Sequence, residues 1–261
     1  MSGSDIIWRP DPATAARTRI ARFMARHGLD TIEALHRRSV DDLEWYWDAV
    51  SRDLDWRWST PYEKVADLSR GIQWPRWFPG GRMNLAANCV DKHLATRGGE
   101  PAVISEAESG LVSRLTYAEL HAEVGRLANA LTRLGVAAGD AVGVFLPMSQ
   151  EAAIAILACS RIGAIYVPCF SGFGGQAVAT RLAACGAKVL ITADAFSRRG
   201  HPIPMKQTAD EAIAECPAIR HLIVHRRTGA AVQWTSGRDV WWHDEMAKAP
   251  AKFAAVPVIC C

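Results

Sequence analysis

Between Tyr117 and Leu134 the chain places apolar residues at alternating intervals of three and four: Tyr117, Leu120, Val124, Leu127, Leu131 and Leu134. That period gathers them on one face of an α-helix, so the segment is predicted as an amphipathic helix lying on a core. Thr116 and Glu119, three apart at its start, have the spacing of a capping box. Two short runs before it, Pro101 to Ser105 and Ser113 to Thr116, read as a hairpin folded about Glu108, Ser109 and Gly110. After it the pattern changes to short, wholly apolar runs. Asp140 to Leu146 (ended by Pro147), Ile165 to Val167, Lys188 to Thr192 and His221 to His225 each read as buried strand. Glu151 to Ile162, apolar nearly all round, belongs inside the fold as a helix. Val178 to Cys185 and Thr208 to Glu215 read as further helices, the latter opened by a second Thr-x-x-Glu box, and Leu85 to Thr96 as another. Strands alternating with helices of this length predict an α/β fold with a mostly parallel sheet flanked by helices.

Upstream, the rhythm is helical. Ala13 to His27 predicts a basic amphipathic helix and Thr31 to Arg38 a second. Ser39 with Asp42 resembles a capping box for a third, which carries Trp45 and Trp47. WRWSTPYEK is loop-like, and WPRWFPGGR, Trp74 to Arg82, interrupts the pattern with two prolines and a glycine pair. The expected division is therefore a helical, Trp-rich N-terminal extension over 1–80 and an α/β subdomain over 81–261. Six of the ten tryptophans fall between Trp45 and Trp77.

Composition adds exclusions. With 261 residues, 49% hydrophobic and 22% charged, the chain has the make-up of an ordinary globular protein with a real core. A net charge of +3, with Lys and Arg scattered, argues against a nucleic-acid partner. No apolar run approaches the ~20 residues of a membrane span, and MSGSDIIWRPDPATAARTR lacks an apolar signal core. The expectation is a cytoplasmic protein without membrane or nucleic-acid partners, its oligomeric state left open. The seven cysteines include no CxxC pair, and Cys89 with His93 offers too few ligands for zinc. Buried, reduced thiols and no metal site are expected.

The richest stretch for chemistry is Gly163 to Lys206. GFGGQA, Gly172 to Ala177, matches G-x-G-x-x-A, and Asp194 follows the first glycine by 22 residues, where a dinucleotide fold carries its ribose-binding acid. Pro168, Cys169, Phe170 and Ser171 intervene where that fingerprint needs an abrupt turn, so a structural glycine turn competes with a nicotinamide-dependent oxidoreductase. The loop SRRGHPIPMK sets Arg198, Arg199 and His201 around Gly200 just past a strand end, where open α/β sheets bind ligands. Guanidinium groups there suit phosphate, although a solvated turn has the same composition. Trp234-Thr235-Ser236-Gly237 begins like a phosphate-gripping loop but continues without Gly, hydroxyl or Lys. It reads as a turn capping a helix that holds Trp241 and Trp242. Asp91, Lys92 and His93 would face different ways on a helix, and there is no G-x-S-x-G elbow. No catalytic residue is nominated.

The blocks WFPGGRMNLAANCVDKHL, LTYAELHAEVGRLANALTRLGVAAGDAVGVFLPM, RIGAIYVPCFSGFGG and KVLITADAFSRRGHPIPMK, in this order, resemble the N-terminal part of the AMP-forming acyl-CoA synthetases, in particular their acetyl-CoA synthetase-like branch. The resemblance runs from about Asp41 to the mid-250s. It implies the N-terminal subdomain of an adenylate-forming ligase using ATP, Mg²⁺ and CoA to activate a short-chain carboxylate such as acetate. It also implies a CoA-binding edge made of Phe170, Ser171 and Gly172 with Arg198, Arg199, Gly200 and His201. Ser171 stands where the branch has Gly, and His201 where it has a second Arg, a weaker phosphate partner when neutral. The family's phosphate loop, ribose-binding Asp, Mg²⁺-binding Glu and adenylating Lys would follow residue 261. An isolated chain without adenylating activity is the expectation, with a non-catalytic CoA- or nucleotide-binding or regulatory module as the alternative.

Overall fold

The computed structural model describes residues 8–259, so Cys260 and Cys261 lie outside the described residues. Contacts divide these into two compact units, residues 8–81 together with Ile259, and Arg82–Val258.

The first unit is helical at its start. The stretch expected as one helix from Ala13 to His27 is two, α1 (Pro12–Ala16) and α2 (Arg19–Arg26). Thr18 causes the break, because its hydroxyl accepts from Ala21 N–H at 3.2 Å and caps a new helix. Two more follow, α3 (Ile32–Asp41) and α4 (Leu43–Asp53). The expected box at Ser39 is not formed: Ser39 lies within α3 and donates to His36 O (2.8 Å), while Asp42 caps α4 by accepting from Trp45 N–H (3.0 Å). Phe23, Leu35 and Ala49 form a small core with Trp45 and Tyr46 against it. The Arg38 guanidinium lies 3.6 Å from the centre of the Trp45 ring. Trp56, Trp58, Tyr62 and Phe78 make a second aromatic cluster with ring centroids 5.0–6.3 Å apart.

The second unit begins at α5 (Leu85–Cys89). The helix expected to run to Thr96 is interrupted where buried Val90 leaves helical dihedrals (φ −124°). The antiparallel hairpin β1 (Pro101–Glu106) and β2 (Val112–Thr116) leads into α6 (Tyr117–Arg133), with the Thr116–Glu119 capping box formed. Then come β3 (Ala141–Val144), α7 (Gln150–Ile162), β4 (Ile165–Pro168), α8 (Gly175–Cys185) and β5 (Val189–Ala193). They are followed by a short hairpin, β6 (Phe196–Arg198) and β7 (His201–Ile203), and by α9 (Met205–Ala214). β8 (His221–His225), β9 (Asp239–Trp241) and α10 (Trp242–Ala247) come next.

Five strands form one sheet in the order β9-β8-β5-β3-β4, and every pairing is parallel. The chain steps from β3 to β4 in one direction, then crosses back to lay β5 on the other side of β3. Right-handed crossovers then require α7 on one face and α8 and α9 on the other. The contacts agree, since α7 packs on α6 and α8 packs on α9. Burial on both faces explains why β3 and β5 are almost wholly apolar, Thr192 apart, with Val142, Val189, Leu190 and Ile191 fully enclosed. The order reverses between β3 and β5, and a crevice opens there beyond the strands' carboxyl ends.

Two side-chain networks secure this unit. Lys206, 1% exposed, donates to Asp210 (2.7 and 2.8 Å) and Gln233 O (2.9 Å) and lies 3.0 Å from Asp239. Arg238 bonds Asp239 as well (2.6 Å), so α9 is fastened to the edge strand β9. Two departures from expectation lie beside this network. α9 starts before Thr208, whose hydroxyl donates to Pro204 O instead of forming the expected box. The Trp234–Gly237 turn leads into a strand, with Thr235 N–H donating to Asp239 (2.8 Å), so Trp241 ends β9 and only Trp242 enters the helix.

The second network holds the segment from Pro250 to Val256. Asn129 Nδ2 donates to Pro250 O (2.8 Å) and Lys252 O (2.9 Å), Arg161 donates to Phe253 O (2.8 Å), and Asn84 Nδ2 donates to Val256 O (2.8 Å). Arg161, 1% exposed, is paired with Asp91. Buried thiols are found at Cys159, Cys169 and Cys216, whereas Cys89 and Cys185 are exposed, contrary to expectation.

Candidate functional site

At the reversal between β3 and β5, Val144 lies opposite Ile191 and β5 runs two residues further to Ala193, and the segments that follow β3, β4, β5 and β8 emerge along one edge. After β4, Cys169 N–H donates to Val144 O (3.0 Å) and Phe173 N–H to Phe170 O (2.9 Å). These bonds fold Phe170–Phe173 into a turn before α8, which begins at Gly175. Phe170 is 61% exposed at the tip of this turn. A Cβ at Gly172 would sit 2.6 Å from the Phe170 ring and 3.2 Å from Arg198 Nη1, so a larger residue there would have to displace these two exposed side chains. The glycine therefore lets the Arg198 guanidinium lie against the turn.

After β5 the chain reaches Asp194, 1% exposed. Its carboxylate accepts from the N–H groups of Ala195 (2.7 Å), Arg227 (2.9 Å), Thr228 (3.1 Å), Gly229 (2.7 Å) and Ala230 (3.1 Å). Burial alone would raise this carboxyl, but the backbone donors bring it below the ordinary carboxylate range. Both oxygens are thus used in holding the loop after β8. Asp194 serves the fold, and the dinucleotide pattern that would make it a ribose ligand has no acid to spare.

The basic loop is the turn of the β6–β7 hairpin. Arg199 (φ 54°) and Gly200 (φ 75°) are both left-handed, the conformation of a two-residue primed turn that matches strand twist. Arg198, Arg199 and His201 are exposed. The tip of the β1–β2 hairpin meets this turn: Glu108 accepts from Ser197 Oγ (2.8 Å), Arg199 N–H and Gly200 N–H (3.2 Å). Ser197, then the Gly200 and Arg199 amides, hold the Glu108 carboxyl below its usual range.

Two cavities open on this edge, and Ser105 and Ser149 line both. One, of about 690 Å³, is largely apolar, with Val144, Tyr166, Phe170 and Ser171 in its wall. The other, of about 610 Å³, is the more polar of the two, lined by Glu108, Glu151, Ser197, Gly200 and the run His225–Thr228. Glu151 is nearly buried at the start of α7, 3.7 Å from His225 Nε2 and 3.9 Å from Arg227 Nη1. Burial pushes the His225 imidazole below its ordinary value, and Glu151 only partly opposes this.

The structure thus brings Phe170, Gly172 and Arg198 together, with Ser171 on the apolar cavity and Gly200 on the polar one. Sequence reasoning missed Glu108 as more than a turn residue, and also missed the His225–Thr228 run. A signal existed for the latter, because Arg226-Arg227 follows the end of β8 as Arg198-Arg199 follows β5. Among the described residues, no group of three His, Cys, Asp or Glu side chains is placed to hold a metal ion, and no helix is long and apolar enough to cross a membrane.

Comparison with known proteins returns two family models in tandem. Residues 32–89 match the acetyl-coenzyme A synthetase N-terminus and residues 90–257 match the AMP-binding enzyme model. The acetyl-coenzyme A synthetase of Thiobacillus denitrificans is 43% identical over 220 residues, which is 83% of this chain and 33% of the relative. Acetyl-coenzyme A synthetase 2 of Pseudomonas putida is 44% identical over 211 residues, 80% of this chain and 32% of the relative. Acetoacetyl-CoA synthetase from Streptomyces lividans superimposes with a TM-score of 0.85 at 32% identity, covering 97% of this chain and 39% of that structure. The chain spans about a third of the length of the curated relatives it matches.

Proposed function

The chain belongs to the AMP-binding enzyme family, and from that premise we propose that it contributes the CoA-binding edge of an AMP-forming acid–CoA ligase. In that reaction a carboxylate, a poor electrophile, is first converted by ATP to an acyl-adenylate with release of pyrophosphate. The CoA thiol then displaces AMP. The relatives' names favour a short-chain acid, acetate or a near homologue.

The observation that supports this reading is the approach of Arg198 to Gly172. Two segments separated by 26 positions, each expected from resemblance to hold the nucleotide end of CoA, meet where a glycine lets the guanidinium approach closely. The exposed Phe170 ring offers a flat apolar face. Arg198 and Arg199 supply fixed positive charge for phosphates, and Gly200 holds the turn that presents them. ATP and Mg²⁺ belong to the parent reaction. The described residues offer no group of three His, Cys, Asp or Glu side chains for the metal. Five cysteines without a disulfide among the described residues fit the reducing cytoplasm.

Calorimetric titration of the 261-residue chain with CoA, 3′-dephospho-CoA and NAD⁺ tests the reading. CoA is expected to bind and NAD⁺ not to bind. Arg198→Gln should weaken CoA by about tenfold or more, the worth of a charge-assisted hydrogen bond. A chain that ignores CoA, or prefers NAD⁺, overturns the proposal.

A further inference from the structure

We infer that Glu108, at the tip of the β1–β2 hairpin, is a positioning residue that fixes the Arg199–Gly200 turn through its backbone and so sets where Arg198 is presented. The consequence for ligand binding rests on the CoA reading above, whereas the clamp itself rests on geometry alone.

In a two-residue primed turn, the N–H groups of both central residues lie outside the strand pairing, which here joins Arg198 to His201 and Phe196 to Ile203. Two successive N–H groups in left-handed conformation make a small concavity that attracts an anion. Glu108 fills it, accepting from both amides and from the Ser197 hydroxyl. Arg199 is not a glycine, yet it holds φ 54°, a region that disfavours side chains. The turn therefore needs an outside partner more than an Asn-Gly turn would.

The carboxylate also comes from a stiff support. Gly110 N–H donates to Ala107 O (2.8 Å) and Ala107 N–H to Leu111 O (2.9 Å), so the hairpin tip has its own closed shape. Neighbouring Arg198 takes part in none of these bonds. Its guanidinium lies at Gly172. One hairpin thus sets the backbone of the turn while the turn's side chain reaches the Phe170–Gly172 segment. Glu108 and Gly200 also share the wall of the polar cavity, so the clamp fixes the width of that cavity on one side.

Two measurements on the 261-residue chain test this, with Glu108→Ala and Glu108→Gln as variants and the unfolding midpoint checked for each. The first needs no ligand: tryptic nicking after Arg198 and Arg199, identified by fragment mass. Nicking should accelerate about tenfold in E108A, with E108Q between it and the parent chain, because the amide oxygen keeps one acceptor without charge. The second is CoA calorimetry, with affinity about tenfold lower in E108A and partly restored in E108Q, at an unchanged unfolding midpoint. Nicking that is equal in all three proteins overturns the clamp, whatever CoA does. Faster nicking in E108A together with a parent chain that ignores CoA retains the clamp and removes the CoA reading. Tighter CoA binding in E108A would mean that the carboxylate competes with the ligand's phosphates, and the positioning role falls.

Discussion

Asp194 and Glu108 do the same thing in two settings. Each is a carboxylate that gathers consecutive backbone N–H groups from a loop distant in the chain: Asp194 from Arg227 to Ala230, and Glu108 from Arg199 and Gly200. Asp194 is enclosed, and water cannot replace what it supplies. Glu108 is exposed, and water can satisfy the same amides if it leaves. A buried carboxylate of this kind determines whether a loop folds at all, whereas an exposed one determines only where an already folded loop points. The same chemistry is structural in one place and adjustable in the other.

The largest effect that could break this contrast is Asp194→Ala. It strands several buried amides and should cost about 3–5 kcal/mol, read by urea unfolding. A cost below about 1 kcal/mol would show that the loop after β8 is held by something else. Lys206→Met comes next, at about 3 kcal/mol, because removing one member of a buried ion network leaves Asp239 undercompensated. Arg198→Gln, eight positions earlier but exposed, should leave the unfolding midpoint where it was.

Acid sharpens the comparison. The Asp194 carboxyl titrates lower in the folded than in the unfolded chain. Its contribution is therefore fully present above about pH 4, the ordinary Asp value, and disappears as pH falls through its lower folded value. The stability gap between the parent chain and Asp194→Asn should accordingly narrow on acidification, and a gap constant with pH would contradict the charged nest. Gly172→Ala follows, with CoA affinity reduced about tenfold by the displaced Arg198 and little change in unfolding. Glu108→Ala should have the smallest effect on stability, with no measurable shift in midpoint.

Much of the fold was legible because β3, β5 and β8 are covered on both faces, so apolar runs had no other explanation. β9 was not legible. It is three residues long and opens on Asp239, which is buried only because Lys206 and Arg238 travel with it. The β6–β7 hairpin was hidden by arginines and prolines that read as loop. Asp194 looked like a ribose ligand because an acid at a strand end looks the same whether a sugar or the protein's own backbone uses it. The proximity of Phe170, Gly172 and Arg198 came from family resemblance and not from any local pattern. Nothing in the local sequence marks Glu108, whose partners lie 89–92 positions away.

The tethers on Pro250 to Val256 have a mechanical meaning. Asn129, Arg161 and Asn84 grip successive carbonyls of that segment, and they stand on helices or at a helix start, not on the sheet. Tension applied at Val256 would be shared among three anchor points and carried into the layer of α5, α6 and α7. The edge where β3 and β5 part would feel little of that pull. A pulling experiment should therefore peel residues 250–256 in discrete steps, one per anchor, before any strand of the sheet yields.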